Sequence, residues 1–402
     1  DEDMKPGDTS TAEPRELRDP ETGRRILQLT SGPWEDYPLY YFTPTVTADG
    51  RSLIFHRLRD GELQYHRLDL DTGATVCLTG AQSPVALWRP WSQAPARGVR
   101  EHLGALNTAR DELVYFDRQD IRAVHVRTLA DRRVAQTPED RYACSQTSVS
   151  PDGRRFVYAH ADREWYESHK TMYPPRETAR RCKVEVVDLD SGASRTVVTI
   201  NGWISHATFY DNERILLSHP PTEQGILMTD LTGEWVLALR PQGPDGSQTC
   251  HYQATRRGVM YEFNNYGPNV SRKHGTMGVY DPEARRRREY RVGARITHIG
   301  YDPEGLFWFG EQIWEVPRFG RRIGYCPRLS PNGESAFVSL TEPVITYGDP
   351  HLQRTHVHPS LMPDRRHILF ARGDERTQTN HPCLLDISDL GEARTVLEGE
   401  GR

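Results

Sequence analysis

Residues Thr47–Gly73 read TADGRSLIFHRLRDGELQYHRLDLDTG. Two short runs carrying Leu53, Ile54, Phe55 and then Leu63, Tyr65, Leu68 flank Asp60-Gly61, and Asp-Gly and Thr-Gly turns bound the whole. Runs this short are strand length, and an Asp-Gly pair supplies the positive φ that a tight hairpin needs. The stretch therefore predicts two antiparallel strands closed by turns. It recurs: SPDGRRFVYAHAD from Ser150 closes with KVEVVDLDSG from Lys183, and YDNERILLSHPPTEQGILMTDLTG starts at Tyr210. TRRGVMYEFNNYG from Thr255 closes with MGVYDPE, and MPDRRHILFARGD from Met362 closes with CLLDISDL. Weaker copies start at Ala109 and Tyr301.

Copies return every roughly 40–60 residues, the period of a four-stranded propeller blade. Seven copies predict an all-β, seven-bladed β-propeller with four antiparallel strands per blade. The run ILQLT from Ile26 is expected to pair with the last blade and close the ring, which removes the exposed sheet edges. The expected organisation is a polar tail or loosely docked arm over 1–20, one propeller domain over 21–395 and a short tail over 396–402. A charged and aromatic segment from Asp162 to about 182, broken by Pro174-Pro175, reads as an insertion in the third blade: a loop with a short helical piece.

The chain has 402 residues and a net charge of -5, so it lacks the basic excess of a phosphate-tracking protein, and no nucleic-acid partner is expected. Mean hydropathy is -0.71, and no apolar run approaches the roughly 20 residues of a membrane span, so no membrane partner is expected either. The six cysteines are dispersed without a CxxC pair. They read as reduced, partly buried thiols and point to the cytoplasm, with the periplasm as the alternative. The GxSxG elbow, the phosphate loop and the post-strand GxGxxG are absent, and nearly all acids fall in blade turns, which argues against a paired-carboxylate hydrolase.

The sharpest chemical motif is LQRTHVHPS from Leu352. On a strand, His356 and His358 would share a face. Gln353 adds an amide oxygen if the strand begins with a turn, and His298 in RITHIGYDPEG lies just before the turn of the neighbouring blade. His206 in GWISHATFYDN and His251 in QTCHYQATRRG fill the same slot of other blades, so several imidazoles are expected to line one channel. His298, Gln353, His356 and His358 together suit one borderline divalent ion, Mn²⁺, Fe²⁺, Zn²⁺ or Ni²⁺.

From about Asp19 to Leu390 the chain resembles the oligogalacturonate lyases, seven-bladed propellers of pectin breakdown. The resemblance is carried by DPETGRRILQLT, NGWISHATFY, CHYQAT and QRTHVHPSLMPDRRHILF. It implies the metal ligands His298, Gln353, His356 and His358 with Mn²⁺ as the ion, and His251 as the Brønsted base. It also implies that His206 and His219 line the pocket for a uronic-acid oligosaccharide cleaved by β-elimination. Tyr266 and His206 are candidates for protonating the leaving oxygen. One feature departs from the family: its arginine on the strand after His219 is missing from QGILMTD, near Gly225. Arg181, Lys183, Arg272 and Lys273 are candidate replacements, and a lyase acting on another uronate is the nearest alternative. A non-catalytic metal-binding propeller with a protein-interaction role is the alternative from another class. Monomer and homodimer are both open.

Overall fold

The computed structural model describes residues 3–84, 96–164, 181–202, 204–219, 225–240, 247–248, 251–265, 274–313, 321–349 and 352–399. The described chain is all-β, built from seven antiparallel sheets of consecutive strands, the blade order of a seven-bladed β-propeller. Helical structure in the described residues is confined to short pieces, among them the 3₁₀ turns Gln353–Thr355 and Ser388–Leu390 and the first residues of the insertion, Arg163 and Glu164. The rest of the insertion as far as 180 lies outside the described residues.

Asp-Gly turns close the hairpins as their chemistry requires. Asp60 and Gly61 have φ of 51° and 76°, and the strands Ser52–Arg59 and Glu62–Asp69 pair in unbroken register across them. A second turn recurs at the outer hairpins. The Asp69 carboxylate accepts the N–H groups of Asp71 and Thr72 and the Thr72 hydroxyl. Asp188 does the same with Asp190 and Ser191. Asp230 does it with Thr232 and Gly233. These Asx turns satisfy backbone donors locally and free the strands for pairing.

The chain packs as two compact units, Asp1–Glu13 with Trp34–Ala238, and Pro14–Pro33 with Leu239–Arg402. The first unit holds the blades around Ser52–Arg59, Glu112–Asp117, Arg155–Asp162 and Arg214–His219. Its core includes Phe116, Phe156, Tyr158, Val184 and Leu217, all essentially buried. The second unit holds the blades around Gly258–Asn265, Trp308–Ile313 and His367–Asp374. Trp308, Phe309 and Phe370 are buried there. Each such side chain contributes roughly 1.5–3 kcal/mol relative to exposure.

The expected closing strand is present: Arg25–Gln28 pairs with Thr379–Asp386, with Ile26 opposite Leu385. The ends are more ordered than their polarity suggests. Thr9–Thr11 pairs with Ala74–Cys77, and Arg15–Arg18 pairs with Arg25–Gln28. Met4 is buried and its N–H donates to Glu62. Val396–Leu397 runs parallel to Arg328–Leu329. Backbone pairing at a sheet edge orders these segments without an apolar pattern of their own.

Candidate metal centre

The inner strand Ile296–Tyr301 and the strand Trp308–Ile313 pair with one irregularity. Thr297 stands opposite Glu311 and Gly300 opposite Phe309, so His298 and Ile299 face the single residue Gly310. This is a β-bulge, which re-aims a side chain and tightens the local twist. His298 adopts φ of 42°, a left-handed conformation usually left to glycine. A Cβ on Gly310 would lie 3.3 Å from the Ile299 Cα, so glycine gives the bulge its room.

The HxH motif does not lie on a strand, as the sequence suggested. Gln353–Thr355 is a 3₁₀ turn, His356 follows it in extended backbone, and His358 has φ of 48°. The next strand, Ser360–Leu361, starts after Pro359. The two imidazoles still come together, with ring centroids 5.4 Å apart, because a turn and a left-handed residue replace the alternation of a strand. His298 lies 5.3 Å from His356 and 4.5 Å from His358 by the same measure. One ring nitrogen from each of the three can be chosen so that all lie within 4.8 Å of one another.

These residues fit a metal ion. The Gln353 Oε1 is buried and has no hydrogen-bond partner, three residues before His356. An amide oxygen left so costs on the order of 1–3 kcal/mol unless another acceptor of its lone pair enters the site. Three imidazoles and one amide oxygen are a borderline donor set. Burial and the neighbouring His298 and His356 push the His358 pKa well below its ordinary value, which keeps it in the neutral form a ligand needs.

His251 stands beside this cluster, its ring centroid 4.5 Å from that of His298. It precedes the strand Tyr252–Thr255, across from Glu262 on Gly258–Asn265. Its Nδ1 is 2.6 Å from the Glu262 Oε1 and 3.2 Å from the Thr297 hydroxyl. Glu262 is fully buried; burial raises its pKa and His251 opposes the rise. A carboxylate at that distance accepts the hydrogen bond of the Nδ1–H, which places the imidazole lone pair on Nε2.

The sequence reading missed Glu262 and Glu311. Both are acids inside strands rather than turns, in VMYEFNN and LFWFGEQ; Glu262 stands across from His251, and Glu311 stands across from Thr297, one residue before His298.

The other expected site residues are placed as follows. His206 is buried on His206–Phe209, opposite Ser218, and its Nε2 lies 3.0 Å from the Tyr40 hydroxyl. Lys183 stands opposite His160 and Thr199. Arg181 and His219 have strand backbones whose side chains are outside the described set, and Tyr266, Arg272 and Lys273 lie outside the described residues. The strand Gly225–Asp230 carries no arginine, and Gly225 to Thr229 are all buried. Among the described residues no helix is long and apolar enough to cross a membrane.

No family model matches the chain. It is similar to the oligogalacturonate lyase of Dickeya dadantii (strain 3937), 21% identical over 373 residues, which covers 88% of this chain and 91% of that protein. It is 22% identical over 378 residues to an oligogalacturonide lyase of Pectobacterium atrosepticum, with the same coverage of both. Its fold matches the solved structure of an oligogalacturonate lyase from Vibrio parahaemolyticus at a TM-score of 0.77 and 16% identity, covering 95% of this chain and 99% of that one. A solved oligogalacturonate lyase in complex with manganese matches at 0.78 and 19% identity, covering 95% and 98%.

Proposed function

We propose that this chain, a seven-bladed propeller similar to the oligogalacturonate lyases over most of its length, is a metal-dependent uronate lyase. Its substrate would be a short 4-linked uronic-acid oligosaccharide, cut by β-elimination to leave a 4,5-unsaturated uronate. The observation that carries the reading is the pairing of His251 with buried Glu262 beside the three-imidazole cluster. Similarity to lyases, one of them solved with manganese, supports the same chemistry and Mn²⁺ as the ion.

The C5 proton of a uronate lies α to a carboxylate and is weakly acidic, so its removal needs a positioned base and help for the charge that develops. His298, Gln353, His356 and His358 would hold the ion, which when bound supplies positive charge for the substrate carboxylate. His251 takes the proton at Nε2, since its Nδ1 is held by Glu262. As the imidazole becomes cationic, the facing carboxylate stabilises it, and the low dielectric of the buried site strengthens that pairing. Release of O4 then gives the unsaturated ring. His206 and Tyr266 remain the candidates for protonating O4.

The test is the chain reconstituted with Mn²⁺ and assayed on a panel of uronic-acid oligosaccharides for the near-ultraviolet absorbance of the conjugated product. A rise on digalacturonate is the expected result. No rise on any uronate, with Mn²⁺ demonstrably bound, would sink the lyase reading. The arginine-free, buried strand Gly225–Asp230 favours a second reading, a lyase of the same mechanism on another uronate, and a rise confined to that substrate would select it. The five described cysteines are buried and unbridged, with the Cys144 and Cys182 sulfurs 3.8 Å apart, which supports a reducing, cytoplasmic setting.

A further inference from the structure

Glu311 is a fully buried carboxylate that base chemistry at His251 does not use. It reaches two of the three clustered histidines at once. Its Oε1 lies 3.0 Å from the His298 Nδ1 and accepts the backbone N–H of His358 at 2.6 Å. Its Oε2 accepts from the Arg321 Nη1 at 2.7 Å. The two histidines belong to different blades, and both are non-glycine residues in left-handed backbone. Such conformations are strained and persist only where the surroundings over-determine them.

Each contact has a distinct consequence. Accepting the His298 Nδ1–H fixes that ring's tautomer and turns the Nε2 lone pair outward. Accepting the main-chain N–H of His358 pins the left-handed turn itself, independently of that residue's side chain. Arg321 balances the buried negative charge and occupies the second carboxylate oxygen, so Glu311 is held as a hydrogen-bond acceptor.

Building on the metal reading above, we propose that Glu311 is a positioning residue that locks His298 and His358 into one preformed pair for a divalent ion, with Arg321 holding Glu311 in place. The carboxylate joins two blades at the point where each departs from regular backbone. It acts through the ligands and not on the substrate.

The experiment is calorimetric titration of Mn²⁺ into the full chain after chelator stripping, for the unaltered protein, Glu311→Gln and Arg321→Gln. Electron paramagnetic resonance of the bound ion and a thermal melt accompany each titration. Glu311→Gln is expected to weaken Mn²⁺ binding about 10- to 100-fold, the range for loss of a partner behind a ligand, and to alter the Mn²⁺ spectrum. Arg321→Gln keeps the contacts of Glu311 to both histidines, while losing the Arg321 Nη1 that lies 3.3 Å from the His298 Nδ1, and is expected to weaken binding about tenfold, the low end of the same range. A purely structural carboxylate would lower the melting temperature and leave the affinity and the spectrum unchanged. That result in folded Glu311→Gln overturns the proposal, and unchanged affinity in folded Arg321→Gln overturns the part given to Arg321. Failure of the unaltered chain to bind Mn²⁺ overturns the metal reading itself, and the positioning role with it.

Discussion

His206 and His251 fill the same slot in successive blades, one facing a hydroxyl and the other an acid. Across the ladder from His206 stands Ser218, and its Nε2 meets the Tyr40 hydroxyl at 3.0 Å. Across from His251 stands Glu262, 2.6 Å from its Nδ1. A phenol hydroxyl engages Nε2 itself, the nitrogen a base would need. A carboxylate behind Nδ1 places the lone pair on Nε2 and stabilises the cation that proton transfer creates. The scaffold offers equivalent histidines, and the groups that face each ring decide which one suits the general-base work proposed above.

The comparison can be broken at several points. The largest effect is expected from His356→Ala, which should abolish metal binding and turnover together. Full Mn²⁺ occupancy measured by elemental analysis would remove His356 from the ligand set. His251→Ala should keep the metal and lower turnover by roughly 10²–10⁴-fold. Activity close to that of the unaltered chain would put the base elsewhere. Glu262→Gln keeps a hydrogen-bond acceptor but loses the charge. A charge-assisted hydrogen bond contributes about 1.5–3 kcal/mol, so kcat should fall by roughly 10- to 100-fold with KM little changed. A change confined to KM would recast Glu262 as a substrate-binding or purely structural residue.

A fourth prediction concerns stability on the His206 side of the comparison. His56 is fully buried, with its Nδ1 3.3 Å from the Pro38 carbonyl and its Nε2 accepting the His102 N–H at 3.2 Å. Burial holds its pKa down at about 3 against an ordinary 6.5. Between those values the unfolded chain binds the extra proton, so the contribution is full above 6.5 and is lost as pH falls toward 3. At pH 5 the loss is about 2 kcal/mol. Urea midpoints at pH 7 and pH 5 should show it, and His56→Gln should flatten the difference; an unchanged pH dependence in that variant would assign it to other groups. The smallest effect is expected from His206→Gln where Tyr266 is the group that protonates O4: about two- to tenfold on turnover, the scale of one neutral hydrogen bond. A loss as large as that of His251→Ala would overturn the contrast between the two blades.

The blades were legible in the sequence because their turns are chemically explicit. Asp60-Gly61 and the Asp69, Asp188 and Asp230 turns announce hairpins whatever lies around them. The histidine slots had a sequence signal as well, since His206, His251 and His298 each stand a few residues before the turn that follows. The carboxylates behind them were not. Glu262 and Glu311 are single acids in apolar strands, and their meaning depends on which histidines the fold brings against them. The local path of LQRTHVHPS was misread because an H-x-H spacing fits a strand face equally well. Here a 3₁₀ turn followed by left-handed His358 does the same work. The strands at Thr9–Thr11 and Val396–Leu397 were hidden because edge pairing needs only backbone.

The bulge at His298 makes the inner strand one residue longer than the partner it pairs with. Deleting that residue would give the blade back an unbroken ladder and relieve its left-handed turn, at no cost to the repeat. It would leave Ile296 and Thr297 opposite Gln312 and Glu311 as before, but it would remove the imidazole that joins the cluster to His251. The chemistry proposed for this propeller thus hangs on a miscount against its own period, and a more regular descendant of the chain would lose one imidazole of the cluster.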